Sequence, residues 1–259
     1  AEAWPATSDQ QRMGSMLEGL YSAAAGMSAQ QEQMNAIGED LANVSTSGYK
    51  SQRVAFSDLL YSPVEIAGTQ STTGAGASAR VIGRSETQGS IEETGEPLDL
   101  AIEGTGYFEV KRANGTTALT RDGSFGVDAS GTLVNSEGNR LAPPIKLPKG
   151  IAPGDVRITP DGTVSANGRK LGQIKLVTVT SPEHLLAAGG GEFTATAQSG
   201  SPHASNGKIR QGALEASNVN MADEMALMVS TQRDYQLTST AIQDESQMMS
   251  IANDLRGTS

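Results

Sequence analysis

Residues 17–50 read LEGLYSAAAGMSAQQEQMNAIGEDLANVSTSGYK. Within them Leu17, Leu20, Ala24, Met27, Gln31, Met34, Gly38 and Leu41 follow one another at alternating spacings of three and four. That is the heptad seam of a helix packed along one side. Ile37 and Val44 widen the stripe, while Gln30, Glu32, Gln33 and Glu39 suit solvent or a polar neighbour. A helix over 17–45 would be about 44 Å long at the standard rise per residue. Gln31 and Gly38 stand where large apolar groups would pack best, so the helix is expected to be marginal alone and firm only when packed.

The far end of the chain mirrors this pattern. Met221, Met225, Met228, Gln232, Tyr235, Ser239, Ile242, Ser246 and Met249 alternate by four and three, and Ile251 and Leu255 finish the apolar face. Asn218 or Asn220 is placed to cap the start. Methionine is frequent here, and its flexible thioether adapts to irregular neighbours. Periodicity alone leaves two arrangements open: the stripes pack on each other inside one domain, or they are kept for other copies.

Between the helices the texture is β. Asn-Gly at 114–115, 167–168 and 206–207 and Asp-Gly at 122–123 and 161–162 are tight-turn dipeptides set between short β-prone runs. The fold class is therefore expected to be α+β, with long N- and C-terminal helices and a β-rich central domain. Residues 1–15 contain Pro5 and lack periodicity, so they read as a disordered tail or cloning remnant. The remaining divisions are a helical segment over 16–47, an extended connector over 48–90, a β-domain over 91–214 and a second helical segment over 215–259. The connector rests on the Gly, Ser and Thr richness of 62–80.

Composition narrows the function. A net charge of −10 without any basic run argues against nucleic acid and against direct lipid binding. No cysteine is present, which removes disulfides, thiolate nucleophiles and Cys-based metal sites. No apolar stretch approaches a membrane span, and the start lacks the basic and apolar regions of a cleaved Sec-type signal. The two histidines, His184 and His203, each follow a proline-containing loop and give little material for a triad or a metal site. Asp122, Asp128, Asp155 and Asp161 lie beside or near glycines, where aspartate supports turns. No catalytic, cofactor or metal residues are expected.

Three ordered motifs resemble one family. The run from Ser22-Ala23-Ala24-Ala25-Gly26-Met27 to Leu41-Ala42-Asn43-Val44 and Gly48-Tyr49-Lys50 is similar to the amino-terminal signature of bacterial flagellar rod and hook proteins. Leu98-Asp99-Leu100-Ala101-Ile102-Glu103-Gly104-Thr105-Gly106-Tyr107-Phe108, followed by Thr120-Arg121-Asp122-Gly123-Ser124-Phe125, resembles their central β-domain. Ser217-Asn218-Val219-Asn220, then Gln232-Arg233-Asp234-Tyr235, resembles their carboxy-terminal motif. Length and the run from Asp58 to Arg84 are most similar to the distal-rod branch; proximal rod and hook-type subunits share the terminal motifs.

The resemblance implies that the N- and C-terminal helices pair as a coiled coil with the β-domain outside them, in a non-enzymatic subunit of the basal body that polymerises into a hollow, torque-transmitting shaft between motor and hook. It implies as partners other copies of itself, proximal rod and hook subunits, ring or bushing proteins, and the type III export apparatus. The assembly face would then hold Leu17, Leu20, Ala24, Met27, Met34, Ile37, Leu41, Met225, Met228, Tyr235, Ile242 and Met249, with Gln232 and Arg233 as inter-subunit contacts. Asn43, Gly48, Tyr49, Lys50, Ser217, Asn218 and Val219 carry the motif, and Asn43 and Asn218 are expected to serve helix-end and turn hydrogen bonds. In an isolated chain the β-domain would be folded and the ends largely disordered, ordering on assembly. Two rival classes stand beside this reading. One is a β-rich surface-binding module; the other is a carbohydrate enzyme using paired carboxylates.

Overall fold

The computed structural model describes residues 7–59, 61–66, 69–74 and 76–257, with side chains described for 19–59 and 76–251. Two long helices stand at its ends, α1 over Thr7–Ala42 and α2 over Met221–Gly257, with a β-rich region between them. The chain divides into two compact units. One comprises the described parts of 1–39, 54–81 and 222–259, the other 40–53 and 82–221.

In the first unit α1 begins ten residues before Leu17, so residues 7–15 of the expected tail are helical and 1–6 lie outside the described residues. Gln10, Gln11, Arg12 and Met13 are good helix formers, and Gly14 alone costs only about 1 kcal/mol relative to alanine. The most buried side chains of α1 in this unit are Ala29, Ala36 and Ile37, while Tyr21, Ala24, Ser28, Gln31 and Asn35 form an exposed line. An α-helix turns every 3.6 residues, so a strict 3.5-residue seam drifts across its surface. Ala24 and Gln31, both in the expected seam, stand on that exposed line because the seam's edge, set by which side of the helix has a neighbour, falls outside the shielded face.

The span 52–84, where composition predicts an extended connector, holds two strand pairs. Gln52–Asp58 pairs with Ala77–Arg84, and Tyr61–Ile66 pairs antiparallel with Thr69–Gly74. Leu59 N donates to Gly76 O at 2.8 Å between them. Threonine-rich segments support a backbone ladder even with few large apolar groups, because the ladder needs only amides. Gly76 (φ +96°) passes so close to α1 that a Cβ there would lie 2.9 Å from Ser22 O and 3.0 Å from the Ala25 methyl. In the same unit α2 comes beside α1, with the Glu245 carboxylate 3.1 Å from where a Gly19 Cβ would stand.

The second unit owns a closed apolar core. Leu100, Ile102, Phe108, Val110, Leu133, Leu141, Ile145 and Val164 are essentially inaccessible, and Phe108 meets Phe125 edge to face at 5.2 Å. Its main sheet runs Leu186–Gly189, Glu192–Thr194, Thr117–Thr120, Tyr107–Lys111, Arg140–Leu141, Leu133–Asn135, Phe125–Val127; Leu176–Thr178 also pairs with Tyr107–Lys111. Asn114-Gly115 turns Tyr107–Lys111 into Thr117–Thr120. Asp161-Gly162 and Asn167-Gly168 turn the three-stranded sheet Val156–Ile158, Thr163–Ala166, Arg169–Gln173. Asn206-Gly207 does not make a hairpin: the strands on either side, His203–Ala204 and Lys208–Gln211, pair with different partners.

The Asp161 turn gives a testable sign. The Thr159 and Thr163 hydroxyls donate to its carboxylate and hold its pKa below the usual 3.8. A depressed carboxylate pKa contributes stability that is present above 3.8 and lost as pH falls through the folded value. An NMR titration should place the Asp161 midpoint below 3.8 and move it back towards 3.8 in Thr159→Val. A midpoint indifferent to that substitution would show that the hydroxyl is not the cause.

Candidate assembly elements and the motif cluster

On α2 the partly or fully shielded positions are Glu224, Met228, Thr231, Tyr235, Thr238, Ser239, Ile242, Glu245 and Met249, a line of threes and fours along one face. The apolar residues do not stop at that face. Met221, Met225, Leu227, Val229, Leu237, Met248 and Ile251 are 42–70% exposed, seven of the thirteen exposed large hydrophobics among the described residues. At 100° per residue Met225, Val229, Leu237, Met248 and Ile251 fall away from the shielded line, while Met221 and Leu227 stand at its two edges. A helix apolar on both sides is one that expects cover on both. Thr231, Thr238 and Thr240 also return their hydroxyls to carbonyls one turn back, which weakens a helix slightly on its own.

The expected assembly residues fall into three groups. Ile37 is buried, and Leu20, Met27, Met34, Leu41, Met228, Tyr235, Ile242 and Met249 are partly shielded. Ala24, Met225, Gln232 and Arg233 are exposed. Leu17 lies among the residues whose side chains are not described.

The motif residues behave differently, because the second unit gathers them into one polar cluster. Gly48 (φ +68°) ends the turn that follows α1, where a Cβ would stand 2.5 Å from the Arg121 carbonyl carbon. Only glycine fits that place and that φ. The Gly48 amide donates to Glu215 O at 2.7 Å, and the Thr46 hydroxyl donates to the Asn43 side-chain oxygen at 3.2 Å. Buried Asp40 accepts from the Tyr49 hydroxyl at 2.9 Å and from the Gln52 amide at 3.1 Å. Asn218 Oδ1 accepts from the Ser51 amide at 2.7 Å, and its Nδ2 donates to the carbonyls of Ser85 and Thr87. Ser217 Oγ accepts from the Val219 amide at 3.2 Å.

At the centre sits Glu215, with its side chain fully buried. Lys50 Nζ donates to it at 2.6 Å, Arg121 Nη1 at 3.1 Å and the Gly89 amide at 3.0 Å. Lys50 also donates to Thr87 O at 2.8 Å. Burial pushes the Lys50 pKa down, and the adjacent Glu215 carboxylate pulls it part of the way back. Arg121 lies over the Tyr107 ring at 5.3 Å and Arg84 over Tyr49 at 5.2 Å. Burial also drives the Tyr107 phenol upward, with Glu86 adding to the shift. Glu215, Arg84 and Asp40 were not singled out by sequence. The one available signal was a glutamate at an inward position of the strand Ala213–Glu215.

Every charge here faces a partner within the chain, so the cluster holds structure together and offers no reacting atom. No group of three His, Cys, Asp or Glu among the described residues could hold a metal, and no helix among them is long and apolar enough to cross a membrane.

Comparison with known proteins matches three family descriptions along the chain: "Flagella basal body rod protein" over 20–50, "Flagellar hook protein FlgE/F/G D1 domain" over 101–166, and "Flagellar basal body rod FlgEFG protein C-terminal" over 210–255. The flagellar basal-body rod protein FlgG of Borreliella burgdorferi is 37% identical, covering 93% of this chain and 99% of the relative. That of Bacillus subtilis is 34% identical, with 88% and 94% covered. The flagellar basal-body rod protein FlgF of Mesorhizobium japonicum is 30% identical, with 86% and 91% covered.

Lys50→Met should destabilise the second unit by about 3–5 kcal/mol, since it leaves a buried carboxylate short of one cation. Denaturant unfolding followed through the buried tyrosines would measure it. A loss under about 1 kcal/mol, the scale of an exposed pair, would mean the site is wet.

Proposed function

Since the chain belongs to the flagellar basal-body rod protein family, and is a structural subunit of the distal rod with no enzymatic role, we propose that its two terminal helices are the polymerising elements. The observation that carries this is α2. Five of its exposed apolar side chains, Met225, Val229, Leu237, Met248 and Ile251, lie away from the face already shielded within one copy. Covering the remaining half of each stabilises by about 1 kcal/mol apiece. Many copies stacked head to tail multiply that gain into a shaft, and open rotation makes it a filament where a closed one would make a ring.

In this reading α1 and α2 pair along their shielded faces, with Gly19 and Glu245 marking one point of approach. Leu20, Met27, Met34 and Ile37 lie on that side of α1, and Met228, Tyr235, Ile242 and Met249 on that side of α2. Met225, Gln232 and Arg233 then face neighbouring copies. The shaft transmits torque from motor to hook through repeated contacts, meeting proximal rod and hook subunits at its ends and ring or bushing proteins at its flank. Subunits travel unfolded through the type III export apparatus, and the ends become helical on assembly.

The match to FlgG relatives at higher identity than to the FlgF relative favours the distal position over a proximal one. Leu237→Asp with Ile251→Lys should abolish filaments seen by electron microscopy at high protein concentration while leaving unfolding of the second unit unchanged. Filaments of ordinary length from that variant would remove α2 from the polymer contact.

A further inference from the structure

Charge of opposite sign is segregated inside the second unit, and we propose that it forms a head-to-tail contact between copies, the basic span 140–175 of one chain docking on the acidic span 86–103 of the next. Residues 140–175 carry seven Lys or Arg against two Asp, a net of +5 in a chain whose total is −10. Residues 86–103 carry six Asp or Glu and no Lys or Arg, a net of −6. A chain this acidic repels its own copies unless unlike charges are brought together.

The backbone fixes two of these charges, Arg157 and Lys170, on one face. All seven basic side chains are exposed. Arg157 lies opposite Ser165, which lies opposite Lys170, across the three strands Val156–Ile158, Thr163–Ala166 and Arg169–Gln173. Two cross-strand steps put these cations about 10 Å apart on the solvent face. Lys146 and Lys149 precede that sheet and Lys175 follows it. Among the described residues, Arg140 alone of the seven meets a carboxylate, Asp128 at 3.6 Å. The carboxylate of Asp161 is occupied by the hydroxyls of Thr159 and Thr163.

The acidic span is held as firmly. Glu92 and Glu93 lie on the strand Ile91–Glu93, Glu96 on the loop after it, and Glu103 closes Leu100–Glu103. Arg210 pairs with Glu93 and Glu103, which leaves Glu92 and Glu96 exposed with no cation at ion-pair distance among the described residues. Among the described residues no ion pair joins the two spans inside one copy. A two-fold axis through either span would set like charge on like. A heterologous contact lets each copy give its basic face and receive on its acidic one. Such exposed charges set register and encounter rate more than strength.

This contact rests on the polymer reading, and the test separates the two. Lys149→Glu, Arg157→Glu and Lys170→Glu together make one variant; Glu92→Lys with Glu96→Lys makes the other, with Gln versions of each as milder sets and circular dichroism to verify folding. Each reversed variant alone should grow filaments about tenfold more slowly at low salt, a difference that shrinks as salt rises. An equal mixture of the two, or all five changes in one chain, should restore growth, because each basic face again meets an acidic one. Parental growth from either variant, or no recovery in both the mixture and the five-fold chain, overturns the contact. A parent chain that forms no filament overturns the polymer reading, and this contact with it.

Discussion

A carboxylate without water is the constraint around which the second unit is organised. Glu215 loses its hydration on folding, and such a loss is tolerated only when donors replace it. The replacements come from three distant places: Lys50 just after α1, Gly89 before the β-core, and Arg121 within it. A buried ion pair is a poor source of net stability. Its worth here lies in arrangement, since one register of 46–52, 85–89, 121 and 213–218 satisfies Glu215, Asn218 and Asp40 together. The end of α1 and the approach to α2 are thereby brought side by side, although 165 positions separate Lys50 from Glu215.

The two units divide their labour by composition. The second fills itself with Leu, Ile, Val and Phe and leaves few of them open. The first has alanines at its most buried points, threonines bonded back to their own helix, and large apolar groups left in solvent. A core of small residues allows close approach but yields little hydrophobic gain per contact. Elements built this way gain firmness from what is added to them.

Much of this was legible in the residues. Five Gly-containing turn dipeptides predicted a hairpin-rich middle, and three of them close hairpins. Heptad spacing located both helices. What sequence lacked was the third dimension of polar pairing: nothing about Lys50 names Glu215, because an inward glutamate and an outward one look alike until the strand is placed. Seam and burial also parted at Ala24 and Gln31, where period alone could not say which side of a helix has a neighbour. The strands over 52–84 were hidden for another reason, since a ladder of backbone amides leaves almost no trace in side-chain hydrophobicity.

Apolar contact and charge act on different properties of a shaft. Burial of Met, Leu and Ile side chains is non-directional and roughly proportional to area, so it makes copies cohere but lets them slide. Load applied along or around the axis acts on that freedom. Charges fixed on strands resist it, because a shift of a few ångströms parts unlike charges and brings like ones together. A subunit that carries torque needs both adhesion and register, and in the proposed polymer the helices would give the first and the second unit the other. In that proposal Arg157 and Lys170 would supply register because they stand on a three-stranded sheet, where backbone hydrogen bonds hold their spacing as mobile loop charges could not.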